Sequence, residues 1–551
     1  MSKTSSDKIW HDVSGLNGEA HLKQDSEQFK IAIIGCGAAG VATLLALIES
    51  PPLKFNKKIT ITIFEKGPVF GPGFAYQCDS NELLMNMVSS TTSIFPNRRS
   101  DFWDWMLEKG FRLGSQQVLS KAGVSPDGYI PRQFFGLYLK SQLEYAISTL
   151  ENLGIGVDLI HSEVTDIYIS GGNKLSLIFD TSRSDYFNCV ILCIGNTAPN
   201  DIFHLSDKSQ YVNNPYPINR YSQLIKASDC VGIIGGQLTA ADIAIVLANQ
   251  GHKGPINFFT RDLHFPLVRC PIGKYDLEYL TQKNLEILKC KHENGISIRQ
   301  IMRLARKEFL LAGVKWSQLF KPSTIEYSLW LKSLLADGNK FLRWQNLAIA
   351  TDGIIGDYWN ALSEVQKSLF MNRFHRLWSA KRVPLPVHTT LKLYSLFRLG
   401  ILRHYPCLRE IDASIKNQFT ALVSEAKEPT IPIKVRCDWV INASGPSRDI
   451  RTADSILIRN LLKSKLILNN PNGGIMLDYE SSLIKSTSNG RVNNFYAIGH
   501  LTSGTYYFVS SLDMVSLKAK DVVTHLNKSL RIAYGHQDQS NEVSSADEYV
   551  S

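Results

Sequence analysis

The sequence has no apolar run approaching the roughly eighteen residues of a membrane-spanning helix. It also lacks a Cys-x-x-Cys pair, a His-x-x-x-His pair and any polybasic tract. The first absence excludes a helical membrane anchor among these residues. The second argues against a dithiol/disulfide flavin reductase and, with the missing histidine pair, against a zinc site. The third leaves the net charge of +10 spread over the surface, which suits an anionic cofactor or substrate better than nucleic acid. The nine cysteines are odd in number and several sit in apolar runs, so small buried hydrophobes are expected rather than a disulfide framework. Residues 1–29 are polar, carry charges of both signs and have no apolar core segment. Neither a secretory signal nor a transit peptide is expected there, and a cytoplasmic location is. With 551 residues, 44% hydrophobic and 20% charged, the chain exceeds one ordinary core and predicts two or three globular domains.

What is present begins at Ile31-Ala32-Ile33-Ile34-Gly35-Cys36-Gly37-Ala38-Ala39-Gly40, followed by a helix-like stretch to Ser50 and by Ile59-Thr60-Ile61-Thr62-Ile63-Phe64-Glu65. A buried strand, a Gly-x-Gly-x-x-Gly turn, a helix and a second strand ending in an acid form the dinucleotide-binding unit. Gly35 permits the tight turn, Gly37 lets the backbone approach a pyrophosphate, and Gly40 lets helix and strand pack. The helix N-terminus offers free N–H groups to the phosphates. Glu65 accepts hydrogen bonds from ribose hydroxyls and disfavours a 2′-phosphate, which points to FAD or NAD rather than NADP at this site.

A second unit starts at Cys230. Val231-Gly232-Ile233-Ile234 leads into Gly235-Gly236-Gln237-Leu238-Thr239-Ala240-Ala241-Asp242, and Pro255 to Arg261 is the following strand. Gln237 stands at the middle glycine position. Either Gly236 serves through a shifted turn or the nucleotide binds weakly. Thr260-Arg261 replaces the acid, and a guanidinium there favours NADPH over NADH; a surface arginine at a strand end is the competing reading. Further buried strands end in glycine at Gly195, Gly445 and Gly499. Strands alternating with helices predict an α/β fold with two Rossmann-like dinucleotide-binding domains, the first discontinuous, and a helical insertion. The expected division is a flexible tail over 1–29, an FAD-binding domain over 30–212 plus 436–534, an NAD(P)H-binding domain over 213–435 with a helical insertion at about 270–400, and a disordered tail over 535–551.

Several motifs carry a family resemblance. Gly71-Pro72-Gly73-Phe74-Ala75-Tyr76, Leu83-Leu84-Met85-Asn86-Met87, Phe95-Pro96 and Asp101-Phe102-Trp103-Asp104-Trp105 come first. Tyr129-Ile130-Pro131-Arg132-Gln133-Phe134-Phe135-Gly136-x-Tyr138-Leu139, Gly195-Asn196-Thr197-Ala198-Pro199, Asn214-Pro215-Tyr216, Leu238-Thr239-x-x-Asp242, Gly251-His252-x-Gly254, Phe374, Trp378, Arg382, Pro384 and Gly499 with Gly504-Thr505 follow. Together they resemble the FAD/NAD(P)-binding family over about residues 30–530, a family similar to N-hydroxylating and Baeyer–Villiger flavin monooxygenases. Gln237, Met85 and Phe508-Val509 depart from its pattern.

The resemblance implies FAD in the first domain, NADPH or NADH in the second, hydride transfer to the flavin, capture of molecular oxygen as a C4a-peroxyflavin, and transfer of oxygen to a small-molecule substrate. The substrate is expected to be a small amine or amino acid, N-hydroxylated, or a ketone. An NAD(P)H oxidase without oxygen transfer and a nucleotide-binding redox sensor are the alternatives. Neither nucleic acid nor membrane is an expected partner. The candidate cofactor-binding residues are Gly35, Gly37, Ala38, Ala39, Gly40, Glu65, Lys66, Tyr76, Val164, Gly195 and Gly499 for FAD, and Gly235, Gly236, Gln237, Leu238, Thr239 and Arg261 for the nicotinamide nucleotide. Candidate catalytic residues are His500, Asn86 and Arg132. For these the competing readings are a solvent-facing turn histidine, a side chain bonded to its own loop, and a local salt bridge. Trp359, Phe370, Phe374 and Trp378 read first as core. Arg373, Arg376, Lys381 and Arg382 read first as a solvated helix face.

Overall fold

The computed structural model describes residues 28–52, 58–110, 124–171, 174–180, 183–262, 264–271, 273–293, 295–320, 344–413, 418–424, 432–487, 494–509 and 511–546. The expected N-terminal tail lies outside them, apart from its last two residues, which open the first strand.

Two five-stranded parallel sheets organise the chain. The first sets strands Phe495–Ala497, Cys189–Leu192, Gln28–Ile34, Lys58–Glu65 and Gly156–His161 side by side in that order. The second sets Tyr211–Val212, Trp439–Asn442, Val231–Ile234, Ile256–Phe259 and Leu402–Tyr405 side by side in the same way. Their central strands carry fully apolar runs, Ile31-Ala32-Ile33-Ile34 and Val231-Gly232-Ile233-Ile234, as strands covered on both faces do. In each sheet the glycine turn follows the central strand. A helix with proline at its N-cap, Arg132–Asn152 or Val387–Arg398, precedes the far strand. An antiparallel three-stranded meander, 164–187 or 410–437, precedes the return strand. The second half thus repeats the sheet, glycine turn, proline-capped helix and meander of the first, with its edge strand Tyr211–Val212 before the repeat rather than after it and a longer helical span before the proline-capped helix.

That repeat corrects the expected boundaries. Tyr211–Val212 and Trp439–Asn442, assigned from sequence to the FAD-binding domain, lie in the second sheet. Between the second-sheet strands Ile256–Phe259 and Leu402–Tyr405 the described chain is helical, with helices at Gln282–Lys291, Ile298–Leu311, Trp344–Ala350, Ile355–Ala361, Glu364–Arg373 and His375–Arg382. The C-terminal helix Leu512–Ala546 packs Ala519, Val522, Val523 and Leu526 onto the helix Ala38–Glu49. It continues through residues 535–546, where the polar composition predicts a disordered tail. No proline follows Gly535 to stop it.

Candidate functional site

In open parallel sheets ligands sit outside the carboxyl ends of the strands, and the glycine turns lie at those ends here. At the first sheet, Gly35 takes φ +100°, and a Cβ there would lie 2.3 Å from the Cys193 carbonyl oxygen. A Cβ on Gly40 would lie 2.4 Å from the Gly35 carbonyl oxygen. Both positions are closed to any side chain. Gly37 is the N-cap of the helix Ala38–Glu49, and the first turn, with Ala38 and Ala39, holds neither a capping side chain nor an acid. Its N–H groups are left for an anionic ligand. A Cβ on Gly37 would meet the Gly73 Cα at 3.3 Å, so the Gly71-Pro72-Gly73 segment lies against the turn.

Glu65 anchors the turn from the neighbouring strand. One carboxylate oxygen accepts from the Cys36 N–H at 2.7 Å and the other from the Gly67 N–H at 2.7 Å. Each oxygen keeps a lone pair for a ribose hydroxyl. Gly195 and Gly499, at the ends of adjacent strands, adopt φ +73° and +87° with no atom within 4 Å of a Cβ position. This open, left-handed backbone beside a free helix N-terminus and an acid fits an FAD. Lys66 pairs with Glu163 at 3.3 Å on the surface. Tyr76 is tied into the fold: its ring meets Phe135 edge-on, and its carbonyl lies where a Cβ on Gly136 would stand. The Val164 side chain is core, leaving only its backbone to meet a ligand.

The second turn has the backbone of the first. Gly235 N–H donates to Phe259 as Gly35 N–H donates to Phe64, both at 2.8 Å. Gly37 has φ −85° and ψ −160°, and Gln237 has φ −100° and ψ −158°. The turn is therefore not shifted. Gly236 occupies the place of Cys36, packed so that a Cβ would be 2.8 Å from the Thr260 methyl. Gln237 fits because its φ needs no glycine, and its side chain is exposed at the mouth of the turn. Leu238 and Thr239 open the following helix. Strand register aligns Phe259 with Phe64, hence Thr260 with Glu65 and Arg261 with Lys66. The Thr260 hydroxyl donates to the Asp262 carbonyl at 2.7 Å and lies 2.8 Å from His404 Nε2. Arg261 is exposed at the strand end, with Arg376 and Asp262 paired at 3.5 Å nearby.

The three candidate catalytic residues separate. His500 follows Gly499 and is largely enclosed; its Nε2 lies 3.0 Å from the Ser447 carbonyl. A carbonyl only accepts, so Nε2 carries the proton and Nδ1 is left as an acceptor. Burial lowers its pKa and keeps the ring neutral. Asn86 is half-buried and its side chain bonds to no described residue, so the expected loop hydrogen bond does not form. Arg132 is engaged at the junction between the two domains. Its Nη2 lies 2.7 Å from Asp242 of the second domain, its Nη1 donates to the Tyr216 hydroxyl at 3.3 Å, and its Nε donates to the Leu84 carbonyl at 3.0 Å. Tyr216 in turn donates to Asp242 at 2.7 Å. Burial pushes the Asp242 carboxyl up, while Arg132 and Tyr216 pull it back. The salt bridge is long-range rather than local.

Asp242 and Tyr216 thus form an interdomain clamp that sequence reasoning missed. The available signal was a lone carboxylate in the apolar helix Leu238–Asn249, since a buried acid needs a partner. Trp359, Phe370, Phe374 and Trp378 pack in one core with Tyr507. Of the basic group, Arg373 and Arg376 are exposed, but Lys381 is buried and Arg382 is enclosed and paired with Asp352, so only half of it is a solvated face. No helix among the described residues is long and apolar enough to cross a membrane.

Residues 32–197 match the family model described as FAD-NAD(P)-binding. Among curated proteins, the uncharacterized protein YdhS of Escherichia coli is 24% identical over 315 residues, covering 52% of this chain and 56% of that protein, little more than half of each. The ornithine N-hydroxylase of Kutzneria sp. 744, solved with reduced FAD, NADP+ and L-ornithine, aligns with 91% of this chain and 99% of its own at 14% identity and TM-score 0.56. The L-lysine 6-monooxygenase of Pseudomonas syringae aligns with 90% and 99% at 12% identity and TM-score 0.55. The ornithine hydroxylase of Pseudomonas aeruginosa aligns with 91% and 99% at 14% identity and TM-score 0.54. Residues 32–197 therefore resemble the FAD-NAD(P)-binding family, and the chain shares its two-dinucleotide-domain fold with the hydroxylases named above.

Proposed function

We propose that the protein is an FAD-dependent, NADPH-consuming monooxygenase that oxygenates a small amine or amino acid by N-hydroxylation, or a ketone, in the cytoplasm. The observation that carries this reading is the pair of glycine turns with one backbone conformation, the first anchored by Glu65 and the second followed by Arg261. Two turns on two clamped sheets supply one site for a flavin and one for its electron donor. The relatives of this fold named above act on ornithine and lysine, which supports amine oxygenation.

Gly35, Gly37, Gly40 and the N–H groups of Ala38 and Ala39 would hold the FAD pyrophosphate, Glu65 the ribose, and the open backbone at Gly195 and Gly499 the space beside it. The bound flavin supplies the redox chemistry, taking electrons from the nicotinamide and activating molecular oxygen. The chain's own residues bind, orient and exclude water. Neutral His500 offers Nδ1 as a proton acceptor, and the Asn86 amide offers both a donor and an acceptor. Arg261 would take the 2′-phosphate of NADPH.

Purified protein is expected to be yellow, to bleach with NADPH in the absence of oxygen, and to form one hydroxylated product per NADPH with an accepted amine. Peroxide release equal to NADPH consumption across a panel of amines, amino acids and ketones would establish an oxidase instead. Gln237 at the mouth of the second turn favours a second reading, a nucleotide-binding redox sensor. Flavin reduction by NADPH too slow to sustain turnover would support that one.

A further inference from the structure

Arg269 is buried in the second half of the chain, 5% exposed, with no carboxylate of the described residues paired to it. Its guanidinium bonds to no described residue, and its Nε is fully enclosed without a partner. Its backbone, in contrast, is fixed from two sides. Arg269 N–H donates to the Leu385 carbonyl at 2.8 Å, and Leu385 N–H donates to the Leu267 carbonyl at 2.7 Å. The Gln345 side chain spans the residues either side, accepting from the Cys270 N–H at 2.9 Å and donating to the Val268 carbonyl at 2.9 Å. Among the described residues this buried cation has no compensating charge and sits in a rigid frame, an arrangement that is costly unless something satisfies it.

The other enclosed arginines have partners for their terminal nitrogens, although the Nε of Arg382 and of Arg448 is also left without one. Arg132 has Asp242, Arg382 has Asp352, and Arg448 donates from Nη2 to the Asn472 and Ser503 carbonyls at 3.0 Å each.

Across the domain junction, Arg269 and Tyr129 are close enough to feel each other's charge. The guanidinium pulls down a phenol that burial pushes up more strongly, and the Tyr129 hydroxyl bonds to no described residue. Leu84 pairs antiparallel with Pro131, and Met85 N–H donates to the Ile130 carbonyl at 2.8 Å. The same register sets Asn86 opposite Tyr129. Asn86 and Tyr129, both without a described partner, thus share one rung of that pairing, and Tyr129 lies within reach of the Arg269 charge. A carboxylate accepts from a guanidinium fork, a phenol and an amide at once.

We propose that Arg269, with Tyr129 and Asn86, binds the carboxylate of the substrate, so that the compound oxygenated is an anionic or zwitterionic acid rather than a plain amine or neutral ketone. This rests on the monooxygenase reading for the fate of the ligand, but the binding itself needs no turnover.

The test uses the full-length flavoprotein and pairs of compounds that differ only by the carboxylate: lysine with cadaverine, ornithine with putrescine, and levulinate with 2-butanone. Binding is read without NADPH, from tryptophan fluorescence and the thermal midpoint, and NADPH-driven turnover is read separately. At least one acid should bind about ten- to a hundredfold more tightly than its partner. Arg269→Gln should erase that preference, Arg269→Lys should keep part of it, and Tyr129→Phe should weaken it severalfold. Flavin content and circular dichroism check that each variant folds. Three outcomes overturn the proposal: no acid preferred in any pair, a preference that survives Arg269→Gln, or an Arg269→Gln variant whose only defect is a raised KM for NADPH. If acids bind with the preference described but NADPH never reduces the flavin, the monooxygenase reading fails and the carboxylate site stands.

Discussion

Removing Arg132 should destabilise the protein rather than disable its chemistry. The Arg132 and Asp242 side chains are 18% and 9% exposed, and their 2.7 Å contact joins the two domains. Taking away one partner of a buried pair costs about 3–5 kcal/mol, because the other charge stays buried. Here the Tyr216 hydroxyl still donates to Asp242 at 2.7 Å, which places Arg132→Met near the lower end, about 3 kcal/mol. Unfolding entropy of roughly 2.1 cal/mol/K per residue gives about 1.2 kcal/mol per kelvin for 551 residues, so the thermal midpoint should fall by about 2–3 °C. The assay is calorimetry at saturating FAD, since cofactor loss would add its own destabilisation. Adding Asp242→Leu removes the stranded carboxylate, and the double variant should return to within about 1 kcal/mol of the parent. If the double variant stays as unstable as the single one, the clamp is not what Arg132 provides. If Arg132→Met keeps the parent midpoint and loses turnover, Arg132 returns to the catalytic set.

Gly37→Val should leave a folded protein unable to hold flavin, read as lost visible absorbance, whereas Gly35→Val should fail to fold because its Cβ meets the Cys193 carbonyl oxygen. Arg261→Gln should raise the KM for NADPH about tenfold or more and leave that for NADH alone, as loss of a charge-assisted phosphate contact would; equal changes for both would remove Arg261 from the site. Gln237→Gly should lower both KM values severalfold, because the backbone already has the glycine conformation and only the side chain stands in the way. His375 and His404 have pKa values lowered by burial to about 4. Both are neutral above the unfolded value near 6.5, and stability falls between about pH 6.5 and 4 as only the unfolded chain takes up protons. Denaturant midpoints across that window should show a slope of at most about 1.4 kcal/mol per pH unit for each histidine, and His404→Gln should flatten it.

Both nucleotide units were legible in the sequence because their signals are local: an apolar strand, a glycine turn, a helix and a strand end within a few dozen residues. What the sequence hid is long-range. Asp438-Trp439-Val440-Ile441-Asn442 reads as a buried strand, but the pattern is the same whichever sheet it joins, so its place beside Val231–Ile234 was invisible. Arg132 and Asp242 are 110 positions apart, so the arginine read as a local ion pair or a catalytic group. Gln237 looked like a broken motif because residue type, not backbone, is what a sequence displays. Arg269 drew no notice at all, since its meaning lies in the missing partner.

The clamp has a thermodynamic consequence. The Asp79 carboxylate accepts from the Ile218 and Asn219 N–H groups at 2.7 and 2.9 Å, Lys392 pairs with Glu82, and Leu83 packs into the core of the second domain, all beside Arg132 and Asp242. Two sheets joined this way should melt together rather than one after the other, which a single calorimetric transition would show. A ligand that tightens one half then raises the cost of opening the other, so FAD bound at the first glycine turn also protects, at a distance, the turn that receives its reductant.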